Sequence, residues 1–299
     1  MSHTHLLCLN GHPELSRKGI RSWSDVGQGA VKLLLLVLLT SCSHVFYQPI
    51  KGALVNSERF GATPEEVWLT SKDGTKILAW AFRAEKPKGT ILHFHGNAEN
   101  MSTHFLNLWW MVKEGYDLLV FDYRGYGFSE GEPNQAGVHL DALAAMEWGY
   151  QDHLKRQTKT FVIYGQSLGG QIAARAIVDF PRQEKVSLLV QDSTFPSYQG
   201  IAAKKLGSRW FLWPFYPLAY LAVSDEYASE DVLHKIRVPV LGIHSTKDDV
   251  VEYELGRKGF DKINSKKTWW KVKGGGHTDV FHLPKSTYRQ QFLDILSRL

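Results

Sequence analysis

The stretch YGQSLGGQ, residues 164–171, sets one serine among three glycines. It follows the apolar run TFVI at 160–163, which is typical of a buried β-strand, and precedes IAARAIV at 172–178, which is typical of a helix. Residues 165–169 fit the pattern G-x-S-x-G, in which a serine stands on a sharp turn between a strand and a helix. The pattern alone arises often by chance, but this strand and this helix favour a nucleophilic Ser167 over a Gly-rich structural turn.

Gly165 and Gly169 flank the serine for a steric reason. A Cβ at either position would keep the strand and the helix from packing closely around the turn. The turn also aims the first free N–H groups of the helix at the place where an oxyanion would form during attack on a carbonyl. We therefore expect the Leu168 N–H to be one of two oxyanion donors, with the second on the loop after the strand TILHFHG at 90–96.

Apolar strand-like runs alternate with helix-like segments from residue 65 to the end of the chain. The first two runs, within 65–84, flank Asp73-Gly74 and predict a hairpin. Later runs, such as the one that starts at Tyr116, are continuously apolar and predict strands that are buried on both faces. The sequence therefore predicts an α/β fold with a mainly parallel sheet and with functional residues beyond the carboxyl ends of the strands.

Ser167 needs a base, because a serine hydroxyl is a weak nucleophile at neutral pH, and the base needs an acid to orient it. In a fold of this kind the chain order is serine, acid, histidine. Asp248 follows the apolar run at 238–245, and His277 follows the last strand-like run and three glycines. We expect His277 to take the Ser167 proton through Nε2 and Asp248 to orient His277. The alternative for His277 is an ordinary surface residue.

Residues 60–299 resemble the α/β-hydrolases. The blocks FHGNAEN, DYRGYGFSEG, GQSLGG, HSTKDDVV and GGGHTD match recurring blocks of that family in the same order. The chain most resembles small single-domain serine hydrolases related to depalmitoylating and aminopeptidase-like members. The resemblance implies that Asp248 rather than Asp249 is the acid and that the Asn97 N–H is the second oxyanion donor. Ser245 departs from the glycine that the family more often has there.

The reaction that these residues imply is hydrolysis of a small-molecule carboxylic ester or thioester through an acyl-enzyme, without a cofactor. A serine aminopeptidase-like peptidase is one alternative, and a non-catalytic envelope binding lipoprotein is another. No metal is expected, because the H-x-H of His93 and His95 lacks the companion Asp-His of metallohydrolases; His95 is expected to shape the oxyanion loop instead. No nucleic-acid partner is expected, since the 35 Lys and Arg residues are scattered.

Two further segments near the expected site have structural interpretations. Asp122 and Arg124 are expected to form an ion pair that pins the loop beside the site. Residues 196–237 are expected to form a cap, since they separate two predicted strands. The aromatic side chains of this cap have three interpretations: they line an acyl pocket, they pack a helix pair onto the sheet, or they rest at a membrane interface. These residues are Trp210, Phe211, Trp213, Phe215, Tyr216 and Tyr220.

The N-terminal residues 1–42 are expected to be an extension with a lipoprotein-type signal, followed by a linker at 43–59. The leucine-rich run in VKLLLLVLLTSCS, residues 31–43, is too short to cross a bilayer and has the length of a signal-peptide core. LTSC at its end resembles the lipobox of bacterial lipoproteins. That resemblance implies a lipid anchor at Cys42 and a place in the bacterial cell envelope, with Ser43 favouring the outer membrane.

Other interpretations of the N-terminal segment stay open. The leucine-rich run could instead be a strand or helix of the fold, in which case a cytoplasmic location is expected. Residues 1–30 are polar and unlike the start of a signal peptide, so translation could begin at Met1 or at Val31.

Overall fold

A central sheet of eight strands runs through the part of the chain that the structure, a computed structural model, describes: residues 46–207 and 217–299. Numbered along the chain, the strands are β1 Gln48–Pro49, β2 Glu65–Thr70, β3 Lys76–Phe82, β4 Gly89–Phe94, β5 Ala98–Glu99, β6 Tyr116–Phe121, β7 Thr160–Gln166, β8 Leu188–Asp192, β9 Val240–Ser245 and β10 Lys267–Val272. The order in the sheet is β10-β9-β8-β7-β4-β6-β3-β2. The pairs β2–β3 and β3–β6 are antiparallel and the other pairs are parallel, which confirms the mainly parallel sheet and the hairpin.

Helices cover both faces of this sheet, as expected for an α/β fold. They are α1 Met101–His104, α2 Trp110–Lys113, α3 Gln135–Arg156, α4 Leu168–Asp179, α5 Tyr198–Gly207, α6 Leu218–Ala222, α7 Tyr253–Asp261 and α8 Tyr288–Leu296. Short 3₁₀ helices span Ser57–Phe60, Phe105–Asn107, Gln183–Lys185, Leu233–Lys235 and Val280–His282. Helices α3, α4, α5 and α7 pack into one apolar core, and α1, α2 and α8 pack into the other.

The segment between β5 and β6 forms two short helices joined by a tighter turn. Helix α1 passes into the 3₁₀ turn Phe105–Asn107 before α2 begins. In a 3₁₀ turn, side chains three residues apart eclipse each other. Here that geometry directs the side chains of His104 and Asn107 to one acceptor, Gln166 Oε1, at 3.4 and 3.0 Å.

Residues 46–59, expected to belong to a linker, are packed against the domain. Phe46 and Tyr47 are buried in the core, and the Tyr47 hydroxyl lies 3.1 Å from the hydroxyl of Tyr198. Strand β1 pairs in parallel with β5. Two adjacent aromatic side chains can bury enough apolar surface to fix a short segment. The folded domain therefore includes residues before 60.

Several expectations concern residues outside the described part of the chain. They are the signal segment at 1–42 with lipid attachment at Cys42, and the cap residues Trp210, Phe211, Trp213, Phe215 and Tyr216. Within 46–207 and 217–299, no helix has the length and apolar character needed to cross a membrane.

Candidate active site

Ser167 stands on a strained turn between β7 and α4. Its φ of 53° and ψ of −119° lie in a region that residues with a side chain rarely adopt. The end of β8 and the residues after it hold the turn. The Ser167 N–H donates to the Asp192 carbonyl at 2.8 Å, and the Ser167 carbonyl accepts from the Thr194 side-chain hydroxyl at 2.8 Å. The serine is thus fixed at the carboxyl end of β7, and its side chain is 8% exposed.

The glycines around Ser167 allow strand and helix to meet. A Cβ on Gly165 would lie 2.5 Å from the Gly170 Cα, and a Cβ on Gly169 would overlap the carbonyl oxygen of Phe94. Neither position has room for any side chain, because both obstacles are backbone atoms. The close approach accounts for glycine on both sides of the turn.

Asp248 and His277 are joined directly. The His277 Nδ1 donates to Asp248 Oδ2 at 2.8 Å, and the other carboxylate oxygen accepts the N–H groups of Val250 and Val251 at 2.9 and 2.8 Å. The Asp248 side chain is fully buried, whereas that of His277 is 18% exposed. Because Nδ1 carries the proton towards Asp248, the His277 Nε2 is left free to accept a proton.

The charge on Asp248 is stabilised from two sides. Burial raises the pKa of its carboxyl, but hydrogen bonds from His244 and His277 outweigh burial and hold the pKa of Asp248 below its ordinary value. The His244 Nε2 lies 3.3 Å from the same oxygen that His277 contacts. Asp248 is therefore ionised at neutral pH and can stabilise a positive charge on His277.

The loops that carry Ser167 and His277 meet at the carboxyl end of β8. Asp192 accepts the Ser167 N–H, and the next residue, Ser193, accepts the Thr278 N–H on its Oγ at 3.2 Å. Within the described residues, no hydrogen bond joins Ser167 Oγ to His277. Such catalytic hydrogen bonds are often long until substrate is bound. The structure therefore brings the acid and the histidine into contact and places the serine at the end of β7, which β8 separates from β9, the strand before Asp248.

Asn97 and Leu168, the two expected oxyanion donors, flank the serine. Leu168 is the first residue of α4, where backbone N–H groups have no partner within the helix. Asn97 follows Gly96, where an added Cβ would lie 3.7 Å from the Ser167 Cβ. The loop is held from the other side, since the Asn97 carbonyl accepts from the Tyr126 hydroxyl at 2.7 Å.

Three residues near the site, Asp192, His244 and Tyr126, were not predicted from the sequence. Asp192 is buried, and its carboxylate accepts from the Tyr164 hydroxyl at 2.6 Å and from Ser193 Oγ at 3.0 Å. Burial raises the pKa of the Asp192 carboxyl, and these two hydrogen bonds offset that rise only in part. Its position at the end of β8, equivalent to that of Asp248 beyond β9, was the available signal. His244 and Tyr126 had no such signal.

The interpretation of Asp122 and Arg124 as an ion pair is wrong. The Arg124 guanidinium donates to Asp141 at 2.9 and 3.0 Å and to Asp73 at 2.8 and 3.2 Å. Asp122 Oδ1 instead accepts the Met101 N–H at 2.7 Å and lies 3.4 Å from the Nε2 atom of His95. Two carboxylates from α3 and the hairpin surround Arg124, so it pins the loop without Asp122.

His93 and His95 point to separate hydrogen-bond partners. His93 Nε2 contacts Gln166 Oε1 at 3.2 Å, and His95 Nδ1 contacts the Gly96 carbonyl at 2.8 Å. Among residues 46–207 and 217–299, no cluster of three His, Cys, Asp or Glu residues is arranged to hold a metal ion.

Of the expected cap, the structure describes residues 196–207 and 217–237, which include α5 and α6. The side-chain amide of Gln199 on α5 donates to the carbonyls of Val223 and Tyr220 at 2.8 and 3.3 Å, which ties the two helices together. The side chain of Tyr220 is 52% exposed.

Several known proteins resemble this chain in sequence. Residues 85–225 match the family described as "Serine aminopeptidase, S33". The chain is 30% identical over 286 residues to the uncharacterized protein YfhR of Escherichia coli K12, covering 89% of this chain and 94% of that protein. It is also 30% identical over 269 residues to the lysophosphatidylserine lipase ABHD12 of Danio rerio, covering 84% and 66% of the two chains.

Solved structures agree on the fold. The esterase Pf2001 of Pyrococcus furiosus superimposes with a TM-score of 0.66 at 19% identity, over 85% of this chain and 97% of that one. An acetyl xylan esterase from Thermoanaerobacterium superimposes with a TM-score of 0.61 at 15% identity, over 88% and 92%. The chain is also 30% identical over 245 residues to the α/β-hydrolase domain-containing protein WAV2 of Arabidopsis thaliana, covering 75% of this chain and 77% of that protein. With its mainly parallel sheet and this relative, the chain belongs to the α/β-hydrolase superfamily.

Proposed function

We propose that the protein is a serine hydrolase that cleaves a carboxylic ester or thioester through an acyl-enzyme. The observation that carries this proposal is the hydrogen bond between Asp248 and His277, at the same edge of the sheet as the strained Ser167. A histidine oriented by a buried carboxylate beside a serine turn is the arrangement that serine acyl transfer requires.

The proposed reaction starts with attack of Ser167 Oγ on the substrate carbonyl carbon while His277 Nε2 accepts the hydroxyl proton. The N–H groups of Asn97 and Leu168 stabilise the oxyanion of the tetrahedral intermediate. His277 then gives its proton to the departing alcohol or thiol, which leaves an ester between Ser167 and the acyl group. A water molecule, deprotonated by His277, attacks that ester and releases the carboxylic acid and the free serine.

The substrate class is proposed on the strength of the relatives' names. An esterase and a lipase are among the similar proteins, which supports an acyl ester or thioester substrate. The match to the serine aminopeptidase family favours the second candidate, a peptidase that uses the same residues on a peptide bond. A non-catalytic envelope binding lipoprotein would need neither the Asp248–His277 pair nor the strained serine.

Activity-based labelling tests the enzyme proposal. A fluorophosphonate probe should label the folded wild-type protein and the control variant Ser297→Ala, and it should not label Ser167→Ala. A folded wild-type protein that stays unlabelled and hydrolyses no ester, thioester or peptide would show that the protein is not a serine hydrolase. Competition of the probe by acyl esters, thioesters and peptides then separates the two candidate activities.

We further propose that Cys42 carries a lipid anchor that holds the protein in the bacterial envelope, on the outer membrane. The support is the sequence LTSC at 39–42 and the burial of Phe46 only four residues later. Four extended residues span roughly 14 Å, so the domain would lie directly at the membrane surface.

A matched pair of cysteine variants tests the anchor. Cys42→Ala should move the protein from the membrane fraction to the soluble fraction, whereas Cys8→Ala should leave it in the membrane fraction. The same distribution for both variants would contradict lipidation at Cys42, and a wild-type protein found only in the soluble fraction would favour a cytoplasmic protein.

A further inference from the structure

His95 lies beneath the loop that carries the proposed oxyanion donor, and both of its ring nitrogens face oxygen atoms. Its side chain is fully buried. The Nδ1 atom lies 2.8 Å from the Gly96 carbonyl oxygen, and the Nε2 atom lies 3.4 Å from Asp122 Oδ1. The second contact has the distance of an ion pair but is not a hydrogen bond.

The Gly96 carbonyl belongs to the same peptide group as the Asn97 N–H. A peptide group is planar and trans, so its C=O and N–H point in opposite directions. When His95 Nδ1 holds the Gly96 oxygen, it also fixes the direction of the Asn97 N–H. His95 therefore acts on the oxyanion hole through one rigid peptide, without touching the substrate.

The two oxygens also determine how many protons the His95 ring carries. A carbonyl oxygen only accepts, so Nδ1 must be the donor to Gly96. In a neutral ring the bare Nε2 atom would lie 3.4 Å from the Asp122 carboxylate oxygen, which is unfavourable in a buried site because both atoms carry partial negative charge. A ring that is protonated on both nitrogens donates to Gly96 and pairs its charge with Asp122.

We propose that His95 is held as an imidazolium by Asp122 and positions the Asn97 N–H for the oxyanion. This inference rests on the proposed hydrolase function. A buried positive charge beside the hole also favours the negative charge that develops on the carbonyl oxygen. Asp122 and His95 would then form a second acid–histidine pair, one that serves the oxyanion in the way that Asp248 and His277 serve the nucleophile.

The groups that surround the His95 ring are consistent with a single charge there. The ring centroids of His104, Tyr123 and Tyr126 lie 5.3, 4.5 and 5.2 Å from that of His95. Burial, and then the charge of a neighbouring histidine, lower the pKa of His104. Burial also lowers the pKa of His93, the remaining histidine of the cluster.

The tyrosines near the ring are neutral. Burial raises the pKa of Tyr123 and of Tyr126. The carboxylate of Asp122, which also accepts the Met101 N–H, is thus the group that balances a positive charge on His95.

Nitrogen NMR of the full-length protein, labelled with ¹⁵N at histidine, reads the proton count directly. The ring nitrogens of His95, assigned by the loss of their signals in His95→Gln, should both be protonated at neutral pH, and Nε2 should lose its proton in Asp122→Asn while Nδ1 keeps its own. One protonated and one bare nitrogen in the wild-type ring would overturn the proposal. This readout needs no substrate, so it stands even if the hydrolase proposal fails.

Kinetics on an ester substrate tests the consequence for catalysis. His95→Gln and Asp122→Asn should each lower kcat at least tenfold with KM within about twofold, since the Asn97 N–H acts on the transition state more than on bound substrate. His234→Gln, a change of the same kind at an exposed histidine, should keep wild-type values. Unchanged kcat in folded Asp122→Asn would overturn the positioning role, also if His95→Gln does not fold.

Discussion

The Ser167 N–H donates to the Asp192 carbonyl over 2.8 Å, and the side chain of the adjacent Ser193 accepts the N–H of Thr278, next to His277. The end of β8 thus holds the serine turn on one side and the histidine loop on the other. These two hydrogen bonds set the spacing between the proposed nucleophile and the proposed base before any substrate is present.

Replacing Ser193 should loosen the histidine loop. Ser193→Ala removes the acceptor for Thr278 and the donor to Asp192, so kcat should fall about tenfold and the free energy of unfolding by about 1 kcal/mol. Ester kinetics and urea unfolding measure the two effects. Ser297→Ala, at the exposed end of α8, is the control, and a Ser193→Ala enzyme with wild-type kcat would contradict the role assigned to this hydroxyl.

The choice between two adjacent aspartates can be tested directly. Asp248→Asn should reduce kcat by about three to four orders of magnitude, because the amide cannot hold the His277 tautomer and charge. Asp249→Asn changes an exposed neighbour in the same way and should keep most of the activity. Equal losses in the two variants would remove the basis for assigning the acid to Asp248.

The low pKa of Asp248 predicts a specific pH dependence of stability. The Asp248 carboxyl binds protons more weakly in the folded than in the unfolded chain. It therefore stabilises the fold at pH values above its ordinary pKa of 3.8, and this contribution is lost as the pH falls below that pKa. The difference in unfolding free energy between wild type and Asp248→Asn should therefore be largest near pH 6 and shrink below pH 4. Urea unfolding at several pH values measures it, and a constant difference would refute the linkage.

The close approach at the serine turn predicts a large steric effect. Gly169→Ala would force a Cβ against the Phe94 carbonyl, so we expect a loss of about 1–3 kcal/mol in stability and a loss of activity. Gly207→Ala is the matched control, since no atom of the described chain lies within 4 Å of its added Cβ. Thermal unfolding distinguishes the two variants, and equal melting temperatures would contradict the packing described here.

The sequence carried enough information for the sheet and for the serine turn. Strand-like runs that end at Gly165, near Asp248 and near His277 point to one edge of a parallel sheet, where side chains distant in sequence can meet. The contact between Asp248 and His277 follows from that rule together with chain order.

Other contacts could not be derived in this way, because they depend on which loops meet in space. Asp122 and Arg124 are two residues apart and carry opposite charges, yet each pairs with partners from other elements. The local sequence around Asp122 does not predict its contact with His95. Likewise, the sequences around Asp73 and Asp141 do not predict their contacts with Arg124. The packing of residues 46–59 was missed because two aromatic residues beside a proline also suit a linker.

The pairing of β1 with β5 has a practical consequence for where the protein can be cut. The Gln48 N–H donates to the Asn97 side chain at 3.0 Å and to the Tyr126 hydroxyl at 3.1 Å, so this short strand holds the loop with the proposed oxyanion donor in place. A truncated protein that begins at residue 60 would keep the sheet but lose these hydrogen bonds. Expression of the catalytic domain should therefore start no later than Phe46, and fusion partners belong before that residue.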